Sequence, residues 1–243
     1  NVFVVETGNN RILKLSNVGI RLDSLGRAGR GDYQLDGPSD IDPSNELKIY
    51  VSDRNNRRIQ VFDQRFQYLA TVSLPVGRGY ARTYRPNLLD VDQTGRLFFY
   101  DEDSNRVFRY ENNGQYDLSF ELFSQDERVQ PIAMSVFDET LWILGRQGTL
   151  LHRFTSSGSY RGFIHLPEPA VDVRVVRGET WILGTTSLMK VSRSGEVLKR
   201  VYLDGAGKRW IGFDLFGGYA FVLTGSNIYR IPVTAEQSPV EHE

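Results

Sequence analysis

The chain contains no cysteine, so its three histidines are the side chains best suited to bind zinc or to act as a general base near neutral pH. His152 and His165 lie close together in sequence, and His242 stands in the polar C-terminal tail. Three zinc ligands are therefore not expected to converge. No G-x-S-x-G motif and no histidine beside a serine indicate a nucleophilic hydrolase. The sequence predicts no catalytic residue, no metal ligand and no bound cofactor from these side chains.

Carboxylates recur on short segments that follow a proline or precede a strand, and oxygen ligands of this kind suit calcium. They are Asp40, Asp42, Asp90, Asp92, Asp172 and Asp214. We expect some of them to end strands or to face solvent. Calcium is therefore kept as an open alternative.

A third group combines arginine or lysine with aromatic residues in loops. Its members are Arg27, Arg30, Tyr33, Arg78, Tyr80, Arg82, Tyr84, Arg85, Lys208, Arg209 and Trp210. Arginine with tyrosine and tryptophan is the composition of protein interface hot spots, and it also suits stacking on single-stranded nucleic acid. Solvated loop charge is the simpler interpretation. Within the functional interpretation, a protein or peptide partner is favoured over anionic glycans and RNA.

These residues are carried by an internal repeat. The segment PSDIDPSNELKIYVSDRNNRRIQVFD from Pro38 aligns without a gap to PNLLDVDQTGRLFFYDEDSNRVFRYE from Pro86. The aliphatic residues that open the third strand of each unit are predicted to be Ile12, Ile59, Val107, Leu151, Leu188 and Ile228. A period near 40 to 50 residues with short alternating strands is typical of propeller blades.

We therefore predict an all-β fold, a six-bladed β-propeller of four-stranded antiparallel blades. Residues 1–233 form this single domain, and residues 234–243 form a polar tail. The first blade lacks its inner strand and the last blade lacks its outer strand. Residues upstream of Asn1 are expected to close the ring, with a partner protein as the alternative.

The bulk composition agrees with this fold and narrows the function. The chain has 243 residues, 23 glycines and 12% aromatic residues, which suits many short strands joined by tight turns. Its 29 basic and 30 acidic residues give a net charge of −1. This balance argues against DNA binding and disfavours RNA. No apolar run is long enough to span a membrane.

The segment GRGDYQLDGPSDIDPSNELKIYVSDRNNRRIQVFD resembles an NHL repeat in its glycine-rich lead-in, its Tyr-Val-Ser-Asp strand and its Asn-Arg-Arg-Ile turn. The unit from Pro86 and the partial N-terminal unit resemble it too, so the resemblance covers about half of the chain strongly. In blade four Arg146 stands at the place of the acid, and in blade five Gly184 does. The resemblance implies a six-bladed propeller. The family includes sensors, RNA-binding domains, protein-interaction platforms and a few enzymes.

The acid–Asn–Arg set of each clear unit is interpreted as structural. It comprises Glu6 with Asn10 and Arg11, Asp53 with Asn56, Arg57 and Arg58, and Asp101 with Asn105 and Arg106. A carboxylate that ends one strand accepts hydrogen bonds from the following turn and pairs with the arginine across it.

These observations favour a binding or scaffold propeller that mediates protein–protein interaction, as a subunit of a larger envelope or extracellular assembly, and they lean away from an enzyme. Two alternatives stay open, a calcium-dependent lactonase or esterase-like hydrolase and an RNA-binding propeller. The predicted location is the periplasm or the extracellular space, with the cytoplasm left open.

Overall fold

The computed structural model describes residues 1–44, 47–72, 84–125, 127–204 and 207–233. These residues form short antiparallel strands connected by tight turns, with a single 3-10 turn at Thr7–Asn9. None of the described residues forms a helix long and apolar enough to cross a membrane.

The strands follow one another along the chain in six sheets. The first sheet holds β1 (Val2–Glu6), β2 (Arg11–Leu15) and β3 (Arg21–Leu25). The second holds β4 (Pro38–Asp42), β5 (Ile49–Asp53), β6 (Arg58–Phe62) and β7 (Tyr68–Thr71). The third holds β8 (Pro86–Val91), β9 (Leu97–Asp101), β10 (Arg106–Tyr110) and β11 (Tyr116–Glu121).

A small hairpin, β12 (Phe123–Ser124) with β13 (Glu127–Arg128), precedes the fourth sheet. The fourth sheet holds β14 (Pro131–Phe137), β15 (Thr140–Gly145), β16 (Leu150–Thr155) and β17 (Tyr160–His165). The fifth holds β18 (Ala170–Val176), β19 (Glu179–Gly184), β20 (Ser187–Val191) and β21 (Val197–Tyr202). The sixth holds β22 (Gly212–Phe216), β23 (Tyr219–Leu223) and β24 (Ile228–Pro232).

The six sheets are the blades of a propeller, as the repeat predicts. Each blade is a meander in which consecutive strands pair in antiparallel fashion. The inner strands β4, β8, β14, β18 and β22 lie side by side around the central channel, and β1 lies against β4. Among the described residues, the first blade has no strand inside β1 and the last has none outside β24. Blades one and six therefore have three strands each among the described residues, and the tail 234–243 lies outside them.

The hydrophobic core is divided into five clusters, each between two consecutive blades. Ile12 of blade one packs with Val51 of blade two, and Ile59 packs with Phe99 of blade three. The clusters between blades three and four, four and five, and five and six continue this pattern. Five of the six predicted third-strand aliphatics are fully buried, and Ile228 of the last blade is partly buried. Alternation along the strands thus directs one side chain in two into each inter-blade core.

The strand directions define two faces of the ring. Loops that join one blade to the next, such as 26–37 and 203–211, lie on one face together with the turns between the second and third strands. We call this the loop face. The turns between first and second strands, and between third and fourth strands, lie on the opposite face.

One detail of the sequence alignment is corrected by the strand register. Pro131 pairs with Gly145, as Pro38 pairs with Asp53 and Pro86 with Asp101. Gly145 therefore stands at the place of the repeat's acid in blade four, and Arg146 follows it in the turn. The prediction failed because the hairpin of blade four is one residue shorter, which an ungapped comparison misses. In blade five Gly184 does stand at this place, as predicted.

Candidate functional site

Loop 26–37 leads from the first blade into the second and carries three of the predicted partner-binding residues. Its backbone folds on itself through hydrogen bonds from Leu35 N to Arg27 O, at 2.9 Å, and from Gly29 N to Leu35 O, at 3.2 Å. The Leu35 side chain is fully buried and anchors the loop in the core between blades one and two. Gly29 adopts φ +146, and a Cβ there would overlap the Gln34 side chain, so glycine is required at this position.

The acid of the repeat holds this loop. Asp53 is fully buried at the end of β5, and its Oδ1 accepts a hydrogen bond from Asp36 N at 2.7 Å. Its Oδ2 accepts from Arg58 Nε at 2.8 Å and from Asn56 Nδ2 at 2.9 Å. The network confirms that this acid–Asn–Arg set is structural.

The partners of Asp53 continue the network into the loop backbone. Arg58 Nη2 donates to Gly31 O at 2.8 Å and to Gln34 O at 3.0 Å. Asn56 Nδ2 donates to Gly29 O at 2.7 Å. From blade one, Asn10 Oδ1 accepts a hydrogen bond from Gly37 N at 2.7 Å. Loop 26–37 is therefore fixed at both ends and along its length.

Arg27, Arg30 and Tyr33 project from this fixed loop. All three are exposed, and 49% of Tyr33 is accessible. The Tyr33 ring rests against Phe62 and Tyr68, and its hydroxyl accepts a hydrogen bond from Tyr68 N at 3.3 Å. The loop thus presents two guanidinium groups and one half-covered aromatic ring on the loop face.

Loop 73–85 was predicted to present five further residues, and the structure describes two of them. Tyr84 is buried in the core between blades two and three, where its ring meets Phe108 edge-on at 5.4 Å. Arg85 is 40% exposed and lies 3.4 Å from Glu102, and its backbone N–H donates to Asp101. Tyr84 contributes to packing, and Arg85 is held by its own blade. Arg78, Tyr80 and Arg82 lie outside the described residues.

The last loop also divides into buried and exposed members. Trp210 is 4% exposed and belongs to the core between blades five and six. Lys208 covers the Tyr229 ring at 4.6 Å and donates to Asp204 O at 2.8 Å. Arg209 is exposed. The described predicted residues that project freely on the loop face are therefore Arg27, Arg30, Tyr33 and Arg209.

The inner-strand carboxylates form a second polar site, in the central channel. Asp42, Asp90 and Asp214 line a cavity of about 1040 Å³ that opens on the face opposite to the loop face. Asp40 and Asp172 line a cavity of about 320 Å³ on the other side. These five carboxylates therefore face the central channel. Asp92 also lines the larger cavity, but it sits in the turn after β8, where its carboxylate pairs with Arg96 at 2.6 Å.

Four of these channel carboxylates tie one inner strand to the next. Asp40 Oδ2 accepts a hydrogen bond from Leu89 N at 2.9 Å, and Asp42 Oδ2 accepts one from Val91 N at 2.6 Å. Asp90 Oδ2 accepts one from Val136 N at 2.6 Å, and Asp172 Oδ2 accepts one from Phe213 N at 3.0 Å. Where blade four has Ser135 instead of an acid, its Oγ accepts from Val175 N at 3.0 Å. Inner strands of neighbouring blades do not share a ladder, so these side chains satisfy amides that would otherwise face the channel.

Arg174 is the only basic residue on the described inner strands β4, β8, β14, β18 and β22, and it lines both cavities. Its Nη1 lies 3.5 Å from Asp172 Oδ1 and donates to Val173 O at 3.3 Å. Burial by itself lowers the pKa of Arg174, but the carboxylates of Asp172 and Asp40 outweigh burial and raise it. The guanidinium therefore stays charged and partly offsets the negative charge of the ring.

Burial controls the protonation of the channel acids. It raises the pKa of Asp40 to about 6, against the opposing effect of Arg174. Burial and the adjacent Asp42 carboxylate raise the pKa of Asp90 well above its usual range. Part of the channel therefore binds protons near neutral pH.

The described residues contain no cluster of three or more histidine, aspartate or glutamate side chains placed to hold a metal ion. His152 and His165 lie on adjacent strands of blade four, in β16 and β17, and His242 lies beyond the described residues. Of the inner-strand acids, Asp40 and Asp90 each use one carboxylate oxygen to accept an amide of the next blade.

Sequence reasoning missed Arg174 and the inter-blade ties. A repeat alignment that carried the strand register would have placed Arg174 at the position of Asp42 and Asp90. The signal was present in the chain as one arginine in a register position that is otherwise Asp42, Asp90, Ser135 and Asp214.

No protein family model matches the chain, and no curated protein matches it in sequence. Several solved structures match it in fold. A gluconolactonase from Xanthomonas campestris has a TM-score of 0.69 and 18% identity, over 95% of this chain and 81% of that chain. Virginiamycin B lyase from Staphylococcus aureus with quinupristin has a TM-score of 0.65 and 14% identity, over 92% of this chain and 73% of that chain.

A third similar structure is BBS1N in complex with ARL6DN, with a TM-score of 0.61 and 13% identity, over 90% of this chain and 70% of that chain. Identities this low establish the fold and nothing finer. The chain is a six-bladed β-propeller, similar in architecture to two enzymes and to a protein-binding domain.

Proposed function

We propose that this propeller is a non-enzymatic recognition module that binds an acidic surface of another protein through its loop face. The observation that carries the proposal is the fixed loop 26–37, which presents Arg27, Arg30 and Tyr33 to solvent. Binding costs conformational entropy wherever a loop must be ordered, and a loop that is already ordered avoids this cost.

The charges of this face support an acidic partner. Neither Arg27 nor Arg30 forms an ion pair with any residue that the structure describes. Arg54 and Arg58, on the neighbouring turn of blade two, are instead paired with Glu102 and Asp53 at 2.5 and 2.8 Å. Arg58, which holds the loop, is thus paired internally, and the two arginines that project from the loop are left for a partner carboxylate.

The carboxylates of the channel support the proposal that the propeller is not an enzyme. Asp40, Asp90 and Asp172 accept backbone N–H groups of the following blade, so their carboxylates have a structural task. A calcium-dependent hydrolase remains the alternative that these carboxylates raise. Calcium that binds the native state increases its melting temperature by mass action, and no shift at millimolar calcium would eliminate this alternative.

We further propose the kind of assembly to which the propeller belongs. An NHL-type propeller with one basic, preorganised loop suits a scaffold subunit of an envelope or extracellular complex. The similarity to BBS1N in complex with ARL6DN is consistent with a propeller of this architecture binding a protein.

The experiment compares capture of partner proteins from the native source by the wild-type propeller and by the Arg27→Glu/Arg30→Glu variant. Arg65→Glu is the matched control, because Arg65 is exposed on the opposite face, in the turn between β6 and β7. We expect capture to be lost in the double variant and kept in the control, with unchanged melting temperatures in both. Equal capture by all three proteins would contradict the proposal.

A further inference from the structure

One position of the repeat is an aspartate in two blades and a glycine in two others. It is the last residue of the second strand, which pairs with the first residue of the inner strand. This position is Asp53 in blade two, Asp101 in blade three, Gly145 in blade four and Gly184 in blade five. Both acids are fully buried and accept hydrogen bonds from the loop that enters their blade.

Blade five replaces the missing acid with a carboxylate from its own entry loop. A Cβ at Gly184 would overlap the carboxylate of Glu168, which shows that Glu168 fills the vacated place. Glu168 Oε1 accepts hydrogen bonds from Ser187 N at 3.0 Å and from Thr186 N at 3.3 Å. A carboxylate from a distant position can therefore occupy this place in the repeat.

Among the described residues, blade four has the glycine without a substitute carboxylate in its place. The three heavy atoms nearest to a Cβ at Gly145 would be His152 Nε2 at 3.2 Å, His152 Cδ2 at 3.5 Å and Leu150 O at 3.7 Å. A cavity of about 610 Å³ opens there on the loop face, between the β12–β13 hairpin and the turn after β15. The place of the acid is thus the inner part of a cavity.

The inner wall of this cavity carries a hydrogen-bonding side chain. His152 is only 7% exposed, and it pairs with Ile143 as Gln60 pairs with Val51 in blade two. Gln60 Nε2 donates to Asp53 Oδ2 at 3.2 Å. His152 therefore occupies the position from which blade two donates a hydrogen bond to its own acid.

The backbone on the other side matches that of blade five. Leu150 pairs with His165 as Ser187 pairs with Tyr202, so the amides of Thr149 and Leu150 correspond to the two amides that hold Glu168. Thr149 and Leu150 both line the cavity. The donors that hold a carboxylate in blade five thus have counterparts in blade four.

The rim of the cavity is mostly cationic. Arg146 is exposed and donates to Gln130 Oε1 at 2.9 Å. Arg128 is largely exposed and lies 3.8 Å from the carboxylate of Glu121. Glu127 also lines the cavity and is exposed. Two guanidinium groups at the mouth favour an anionic ligand.

We propose that the blade-four cavity is a binding site for a carboxylate of an external ligand, which takes the place that Asp53 occupies in blade two and Glu168 occupies in blade five. His152 and the amides of Thr149 and Leu150 bind the carboxylate, and Arg146 binds it from the mouth. The cavity is larger than a carboxylate, so the site takes the end of a longer acid or peptide.

The test titrates succinate into the protein and follows the His152 ring and the Gly148 amide by NMR. Gly145→Asp restores the repeat's own acid, so we expect it to fill the site and to weaken succinate binding at least about tenfold. Gly145→Ala adds only the Cβ atom and is expected to weaken binding less. Arg146→Gln is expected to weaken binding several-fold, and Arg161→Gln, on exposed β17, is the matched cation control.

Comparing the affinities of three ligands distinguishes the possible sources of the carboxylate. The ligands are succinate, a tripeptide with a free C-terminus, and a blocked tripeptide whose only carboxylate is a glutamate side chain. Glu127→Gln tests self-occupancy, because an intrachain carboxylate in the site would make this variant bind succinate more tightly by about tenfold or more. That result would overturn the proposal.

Equal succinate binding by the wild type and by a folded Gly145→Asp variant would also overturn it, as would the absence of any succinate-dependent shift at His152. If Gly145→Asp does not fold, the comparison of Arg146→Gln with Arg161→Gln decides. The proposal rests on blade four alone. Loss of partner capture through Arg27 and Arg30 and loss of succinate binding through Arg146 are therefore independent outcomes.

Discussion

The carboxylate of Glu168 lies where a side chain at Gly184 would have to stand. The repeat thus keeps its buried acceptor in blade five although the acid has moved to the entry loop. Ser187 Oγ and Thr186 Oγ1 donate to the same carboxylate, at 3.0 and 2.5 Å. Blades two, three and five thus keep a carboxylate acceptor at this place, although a different part of the blade supplies it in blade five.

This relationship predicts a compensating pair of substitutions. Glu168→Ala leaves the amide of buried Ser187 and the amide of exposed Thr186 without their acceptor and is expected to cost about 1 to 3 kcal/mol of unfolding free energy. Gly184→Asp in the wild type places a second side chain in an occupied space and is expected to destabilise by a similar amount. The double variant should be more stable than the sum of the two losses, as urea denaturation would show. Simple additivity would contradict the account.

Asp53 provides the second prediction. Asp53→Ala leaves the buried Arg58 head and the Asp36 amide without their acceptor, so we expect a loss of about 3 kcal/mol or more. Loop 26–37 should loosen, and its amides should exchange hydrogen faster than in the wild type. Asp23→Ala, on exposed β3, is the surface control and should stay within about 0.5 kcal/mol of the wild type. Unchanged exchange in the loop would show that Asp53 does not hold it.

Much of the fold was predictable from the sequence, and the two prolines of the repeat show why. Pro38 and Pro86 fixed the frame of the repeat, and the six blades and the buried third-strand residues followed from it, but the register of blade four did not. The period alone was sufficient, because alternating strands leave few other ways to bury one side chain in two. The Asp53 network was likewise predictable from the spacing of its members.

The candidate site was predicted only in part. Tyr84 and Trp210 stand beside arginines in sequence, yet both are buried in the core. Composition cannot distinguish an aromatic residue that faces a partner from one that is buried between two blades. The inter-blade ties of Asp40 and Asp90 were missed as well, since they join residues about a blade apart and need the ring to be visible.

The channel acids predict an unusual dependence of stability on pH. The folded-state pKa of Asp40 is raised to about 6, so the folded protein binds its proton more strongly than the unfolded chain. This contribution is present at low pH and is lost as pH rises from about 4 to about 6. The pKa of Glu168 is lowered by its hydrogen bonds despite burial, so its contribution is lost below about pH 4.

We therefore expect maximal stability at about pH 5, with a fall toward pH 7.5 on the order of 1 kcal/mol from Asp40. Asp40→Asn cannot titrate and should flatten this fall. Urea denaturation at both pH values in the two proteins measures it. A wild type that is more stable at pH 7.5 than at pH 5 would contradict the assignment.

Arg174 gives a related prediction. Arg174→Met removes the cation that faces Asp172 and Asp40, and the remaining carboxylates repel one another when ionised. The loss of stability should be larger at pH 7.5 than at pH 5, because part of the ring is protonated at the lower pH. Arg161→Met, on the exposed outer strand of blade four, should show little loss at either pH. An equal loss at both pH values would assign Arg174 a packing role only.

The most direct test of the central claim is the native mass of the propeller in extracts of its source, measured for the wild type, Arg27→Glu/Arg30→Glu and Arg65→Glu, with co-eluting chains identified by mass spectrometry. The account predicts a defined complex for the wild type and Arg65→Glu, and elution near the monomer mass of 27.7 kDa for the double variant. A complex that survives the double substitution, or a wild type that elutes alone, would contradict recognition through this loop.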